Sequence, residues 1–261
     1  MPIAGATSRN PDAMPILKRV RVQADRFATL VRTRPPLIVV LVYVATLASR
    51  LVRRMRDPES NRQTALIREL DSTGSYTTRW FDGNAVEWLR IFQSQGLVDK
   101  PIRVLEIGSW EGRSAVFVLH HLPLAAVTAV DTWQGGSQNA GDPRLARIEE
   151  LFDANVARYG ARVRKVKSTS AEFFRNGEHT LPFDLIYVDG SHDADDVIVD
   201  AVRGFELLAT DGIMIFDDYL WERGTGLGLT PAVAINRFLR MNHGRYRILS
   251  VTGQIILKKM S

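Results

Sequence analysis

Apolar residues in the second half of the chain gather into short runs separated by stretches of helical spacing, and this alternation predicts the architecture. The runs at 103–107, 125–130, 163–167, 183–188 and 212–216 are five or six residues long and, except for the mixed VRKVK at 163–167, largely apolar, as strands covered on both faces should be. Between them Leu145, Ile148, Phe152 and Val156 mark one helical face, and Ile198, Ala201, Val202, Phe205 and Leu208 mark another. Strand and helix in turn imply an open, doubly wound, mostly parallel sheet with helices on both sides, an α/β fold. The tail breaks the rhythm: residues 246–251 and 254–257 read as strands around Thr252-Gly253 with no helix between, an antiparallel hairpin that brings the sheet to seven strands. Upstream, Trp80, Phe81, Ala85, Trp88, Leu89 and Phe92 recur at helical spacing and predict an amphipathic helix over the start of the core.

The first third of the chain has a different character. Residues 1–57 form a basic extension, 58–100 a linker and helical cap, and 101–261 the sheet domain; the polar residues from Asp57 to Thr78 leave room for one short helix. Residues 1–60 hold 11 Lys/Arg against four Asp/Glu, whereas the other 201 residues hold 23 against 25. The pI of 9.7 therefore describes the extension, and nucleic-acid binding through the domain face loses support. Within the extension, Pro35 to Ser49 is free of charge and bracketed by Arg32 and Arg34 before and by Arg50, Arg53, Arg54 and Arg56 after. Read as an apolar helix over residues 35–52 it is membrane-seeking: the fifteen uncharged residues 35–49 reach only ~22 Å of a ~30 Å hydrocarbon core, and Leu51, Val52 and snorkelling arginines extend that reach. Two readings stay open: association with the inner face of a membrane, or a helix packed on the domain or on a partner subunit. Basic flanks on both sides give no orientation. Residues 1–16, with three prolines, read as disordered. The absence of cysteine excludes disulfides, thiolate catalysis and zinc-thiolate sites and fits a reducing, cytoplasmic setting. A homo-oligomer is compatible with the chain but not specified by it.

Candidate chemistry begins with RVLEIGSWEGRS at 103–114. A buried strand ends in Glu106, and Gly108 and Gly112 frame a turn into a helix, so backbone can approach a ligand closely. The spacing G-x-x-x-G lacks the third glycine of the dinucleotide fingerprint, which argues against a pyrophosphate guest and against an NAD-dependent oxidoreductase. About twenty residues on, the strand at 125–130 ends in Asp131, placed to accept hydrogen bonds from both hydroxyls of a ribose. The fourth strand then ends V-D-G-S-H-D, with Asp189 and His192, and the fifth ends I-F-D-D-Y, with Asp217 and Asp218. Three carboxylates converging at strand ends repel one another unless a cation or protons intervene, and oxygen ligands suit Mg2+. The alternative is that Asp189 and Asp217 hold backbone amides and a ligand amino group. His192 is a candidate general base, with a ligand contact or helix cap as the equal alternative.

Glu106, the glycine turn and Asp131 together resemble the class I S-adenosylmethionine-dependent methyltransferases, over roughly residues 80–259. The resemblance implies a Rossmann-like methyltransferase fold that binds S-adenosyl-L-methionine. It places Glu106, Gly108, Ser109, Gly112 and Ser114 at the methionine part, Asp131 with Thr132 and Trp133 at the ribose and adenine, Ser170 and Ala171 by the adenine, and Asp189 beside them. Trp133 is equally readable as a lid or packing residue. D-G-S-H after the fourth strand and D-D-Y after the fifth are similar to small-molecule O-methyltransferases of the catechol and macrolide-sugar type. That implies Mg2+ on Asp189, Asp217 and Asp218 and a hydroxyl acceptor on a sugar, polyketide or other small molecule. Some sugar-modifying members carry an acidic base where this chain has Ser191, which leaves His192 as the substitute, with Asp189 beside it as the other candidate catalytic group. Arg79, Trp80 and Trp221 are candidates for the acceptor pocket, and the glycine-rich stretch 224–230 for a lid over it. A cofactor-binding scaffold without catalysis, tethered through residues 18–56, is the rival from another class; intact acids at three strand ends argue against it.

Overall fold

The computed structural model describes residues 16–56, 59–136, 139–177, 181–221 and 230–261. Seven strands form one sheet: β1 (Arg103–Ile107), β2 (Ala126–Asp131), β3 (Val163–Lys167), β4 (Phe183–Val188), β5 (Leu208–Phe216), β6 (Tyr246–Val251) and β7 (Ile255–Lys259). Their order is β3-β2-β1-β4-β5-β7-β6. β1 to β5 run parallel, and β7 lies antiparallel to both β5 and β6. The chain starts in the middle and winds outward first one way and then the other, so the order reverses between β1 and β4. A ligand crevice is expected above the carboxyl ends of those two strands.

Every predicted strand is present. β5 begins at Leu208, earlier than its apolar run, because Leu208 pairs with Phe183 ahead of a register shift that resumes at Ile213 opposite Leu185. One face of the sheet is covered by α3 (Glu59–Asp71), α4 (Ala85–Ser94), α5 (Arg113–His121) and α6 (Ile148–Val156), around Trp88, Phe92, Phe117 and Phe152, all fully buried. The other carries α7 (Ser170–Asn176), α8 (Ala194–Leu207) and α9 (Pro231–Met241), around Phe205, Phe216 and Phe238. The stretch read as a linker contributes α3, whose Leu66 and Leu70 enter the first core. Trp80, expected on the buried helical face, lies instead in a 3-10 turn ahead of α4 and is 47% exposed, its ring 5.2 Å from that of Trp110.

The extension folds as α1 (Ile16–Arg32) and α2 (Leu37–Arg56). Pro35 and Pro36 part the two helices, since proline cannot continue the first. α2 packs on β6, burying Val39 and Tyr43 in the second core, with Thr46 Oγ1 accepting the Val251 amide at 3.5 Å. Arg50 and Arg53 reach Glu87 of α4 at 3.9 Å each, and Glu87 also accepts Arg90 and the Ser250 hydroxyl. Between the helices, the carbonyl of Thr33 accepts Asn236 Nδ2 at 3.2 Å, and Asn236 Oδ1 accepts the Tyr219 hydroxyl at 2.8 Å. Of the two readings for residues 35–52, packing on the domain is the one seen. Among the described residues no helix is long and apolar enough to cross a membrane.

Candidate active site

The crevice is lined by the turns that leave β1, β2, β4 and β5. Gly108 has φ +85° and Gly112 φ +80°, a backbone region where an L side chain is strained. A Cβ on Gly108 would stand 2.1 Å from the Asp189 carbonyl oxygen, and one on Gly112 would stand 3.0 Å from the Phe152 ring. The first contact presses the glycine turn against the loop after β4; the second seats the start of α5 on α6. Glu106 is 2% exposed, and its Oε1 accepts the Ser114 hydroxyl at 2.5 Å. Its Oε2 is buried with no hydrogen bond of good geometry, and the Ser109 hydroxyl lies buried beside the same carboxyl. Burial pushes the Glu106 carboxyl up to about 7. Under-satisfied polar atoms in a tight turn fit a polar, cationic guest.

Asp131 is held where β2 ends. Its Oδ2 accepts the Trp110 amide at 2.8 Å and its Oδ1 the Trp133 amide at 2.7 Å, fixing the carboxylate at the rim. Trp110 and Trp133 both have positive φ, +47° and +54°, an arrangement that clusters at functional loops. Trp133 is buried against Phe152, and its indole N–H donates to the Trp110 carbonyl at 2.8 Å. Its ring is thus occupied in bracing the two loops. Thr132 Oγ1 accepts the Gln134 amide. Ser170 opens α7 behind a Thr169/Glu172 capping box and bonds Asp200, whose carboxyl burial raises to about 6; Ala171 beside it is exposed.

The acids after β4 and β5 form the third part. Tyr187 lies two residues before Asp189, hence on the same side of the strand, and its hydroxyl bonds both Asp189 Oδ2, at 2.8 Å, and Asp217 Oδ2. One hydroxyl hydrogen serves only one of these acids, so a proton on a carboxyl carries the other link. Burial and the neighbouring carboxylates raise Asp189 well above the ordinary range and Asp217 to about 6. Asp217 further accepts Gln254 Nε2 at 2.8 Å, and Gln254 Oε1 accepts the Trp88 indole at 2.8 Å. Asp217 therefore turns inward. Asp218, with φ +51°, turns outward, and its Oδ2 lies 2.7 Å from His192 Nε2. Asp189, His192 and Asp218 offer ligand atoms all within 4.8 Å of one another. Of the three expected ligands, the structure brings Asp189 and Asp218 together with His192 and gives Asp217 to Tyr187 and Gln254.

Around this centre, the Trp221 ring lies 4.5 Å from that of His192, while Arg79 is taken up by Asp71 and Asp82. Residues 224–229 of the expected lid lie outside the described residues, as do residues 1–15 of the stretch read as disordered. Three contributors were not legible as site residues. Tyr187 sits in an apolar run and reads as core; its only signal is its i, i+2 relation to Asp189. Gln254 sits in a hairpin turn. Glu111, inside the glycine turn, accepts the amide and hydroxyl of both Thr77 and Thr78 at 2.7–2.9 Å, tying the segment before α4 across the turn.

Residues 105–219, from β1 to just past β5, match the model of a family described as a methyltransferase domain. None of the curated proteins matches the chain in sequence. The fold is similar to that of the O-methyltransferase from Bacillus cereus in complex with SAH, with a TM-score of 0.50 and 15% identity over 85% of this chain and 100% of that one. It is also similar to the MycE methyltransferase from the mycinamycin biosynthetic pathway in complex with Mg and SAH, with a TM-score of 0.52 and 17% identity; the match covers 76% of this chain and 54% of that one. A third is the O-methyltransferase TomG from Streptomyces achromogenes in complex with SAM, with a TM-score of 0.50 and 14% identity over 77% and 89%. At such identities the likeness speaks for the fold. Residues 105–219 thus match a methyltransferase-domain model, and the seven-stranded sheet around them has the fold seen in those solved methyltransferases.

Proposed function

We propose that the chain methylates a hydroxyl group of a small molecule, such as a sugar or polyketide, using S-adenosyl-L-methionine, with a divalent cation on Asp189 and Asp218 and with His192 as general base. The observation that carries this reading is the approach of the glycine turn to Asp189, 2.1 Å from a Cβ on Gly108, which puts the cofactor turn and the acid cluster in one crevice. The cofactor supplies a sulfonium methyl group whose bonding pair stays on sulfur when the acceptor oxygen takes it. Glu106 Oε2, buried with no hydrogen bond of good geometry, suits the ammonium group of the methionine part, and Asp131, pinned by two amides, suits the ribose hydroxyls.

Mutual repulsion among Asp189, Asp217 and Asp218 is the electrostatic reason for a cation, and two carboxylate oxygens suit Mg2+ or Mn2+. A cation there would supply a Lewis acid beside the acceptor hydroxyl; MycE, of like fold, was solved with Mg. His192 faces Asp218 through Nε2 and keeps Nδ1 buried and unpartnered. With the proton on Nε2, the Nδ1 lone pair is left to take the hydroxyl proton. Alignment within such a closed site is worth roughly 7–11 kcal/mol.

Calorimetry separates this reading from its rivals. Heat with S-adenosylhomocysteine and none with NAD is expected; heat with NAD alone would overturn it. Mn2+ titration should show one site in the wild type, lost in Asp189→Asn and Asp218→Asn, and absence of that site in the wild type would remove the cation.

A further inference from the structure

We infer that the α1–α2 hairpin is a docking surface for an anionic lipid bilayer, on which α2 lies flat in the interface. α2 has two faces. One is spent on the domain: Val39, Tyr43 and Thr46 are buried, and Arg50 and Arg53 point toward Glu87. The other carries Leu37, Ile38, Leu41, Val44, Leu51 and Val52, which are 45–72% exposed. Their spacing of three and four residues lines them along one side of the helix. Ala45 and Ala48, also exposed, fill the gaps, and no charged residue interrupts the sequence from Leu37 to Ser49. On α1, Phe27 and Val31 are 43% and 52% exposed, and the Phe27 ring lies 6.3 Å from that of the buried Tyr43.

An apolar surface of this length on an otherwise charged chain marks a binding site, and its borders indicate what binds. Arg32 and Arg34 are exposed at one end of the stripe, Arg26 is exposed on α1 near Tyr43, and residues 1–60 carry seven more basic than acidic side chains. An apolar band flanked by exposed arginines fits a lipid surface, where the band enters the acyl boundary and the guanidinium groups of Arg26, Arg32 and Arg34 face phosphates. A transmembrane course is ruled out by geometry of a different kind: Val39 and Tyr43 would have to leave the core of the domain. Lying flat keeps both sets of contacts.

The test uses the full chain and vesicles of phosphatidylcholine alone or with 30% phosphatidylglycerol, read by co-sedimentation. Binding to the anionic vesicles, at least tenfold tighter than to the neutral ones and weakened by 0.5 M NaCl, is expected. The triple variant Leu37→Gln, Leu41→Gln, Val44→Gln alters only exposed side chains and should lose that binding at least tenfold. Its circular dichroism and its heat with S-adenosylhomocysteine should match the wild type, which keeps this result distinct from any failure of the methyltransferase reading. No sedimentation with either vesicle would overturn the inference. So would a concentration-dependent dimer in light scattering that the triple variant abolishes, since a second copy would then be the occupant.

Discussion

His192 and Asp218 meet through Nε2 and Oδ2 at 2.7 Å, which leaves the opposite ring nitrogen buried and without a partner. As the proposed base, His192 would act on the acceptor and not on the cofactor. His192→Gln should lower kcat by roughly 10² to 10⁴ with any acceptor that the wild type methylates. Affinity for S-adenosylhomocysteine, read by calorimetry, and for Mn2+ should stay within a few fold. A loss of Mn2+ binding would make His192 a ligand instead.

The Tyr187 hydroxyl joins Asp189 to Asp217 inside the domain. Tyr187→Phe deletes that link and leaves two buried acids facing an apolar ring, at a cost of about 1–3 kcal/mol. Denaturant unfolding at pH 7 should show that loss, and Mn2+ affinity should fall because Asp189 is no longer oriented.

Glu106 gives a pH signature. Its carboxyl sits at about 7 in the fold against 4.5 in the open chain. Below pH 4.5 both states are protonated and nothing is lost; between 4.5 and 7 only the unfolded chain ionises, so the fold weakens as pH rises. Glu106→Gln escapes this. In thermal unfolding without cofactor it should match the wild type at pH 4 and exceed it by roughly 3 kcal/mol at pH 8, while binding S-adenosylhomocysteine poorly. Equal stabilities at pH 8 would contradict a carboxyl raised by burial.

Gly108→Ala puts a methyl group 2.1 Å from the Asp189 carbonyl at positive φ. Both the clash and the backbone cost fall on the crevice. Stability should drop by about 2–4 kcal/mol, and calorimetric heat with S-adenosylhomocysteine should disappear. Gly141→Ala is the control: it shares a positive φ of +81° but has nothing within 4 Å, so it should lose only about 1 kcal/mol and keep the heat.

Much of this was legible in the sequence for a physical reason. Buried parallel strands announce themselves as apolar runs, and residues at or just past the end of each run fall at the crevice, so Glu106, Asp131, Asp189, Asp217 and Asp218 could be placed there before any coordinates. What escaped depends on which way a side chain turns. Asp217 and Asp218 are adjacent and chemically identical, and only the hydrogen bonds from Tyr187 and Gln254 send one inward. Trp133 follows the ribose-side acid, but Phe152 and the Trp110 carbonyl claim its ring and its N–H. α3 answers to the short helix allowed for in the linker, but its polar surface outweighs the two leucines that it buries, which hid that it packs into the core. The apolar stretch at 35–49 showed that α2 would seek an apolar environment without showing that half of it would find one on β6.

The hydrogen-bond thread from Thr33 through Asn236 to Tyr219 ends one residue beyond Asp218. Trimming the chain to its sheet domain would therefore do more than remove an appendage: Asn236 would lose an acceptor, Phe238 and its neighbours would lose the cover of Leu30, Val39 and Tyr43, and the backbone carrying Asp218 would lose a brace. The leading helices are in this sense the back wall of the catalytic chamber, and whatever they settle on is mechanically joined to it.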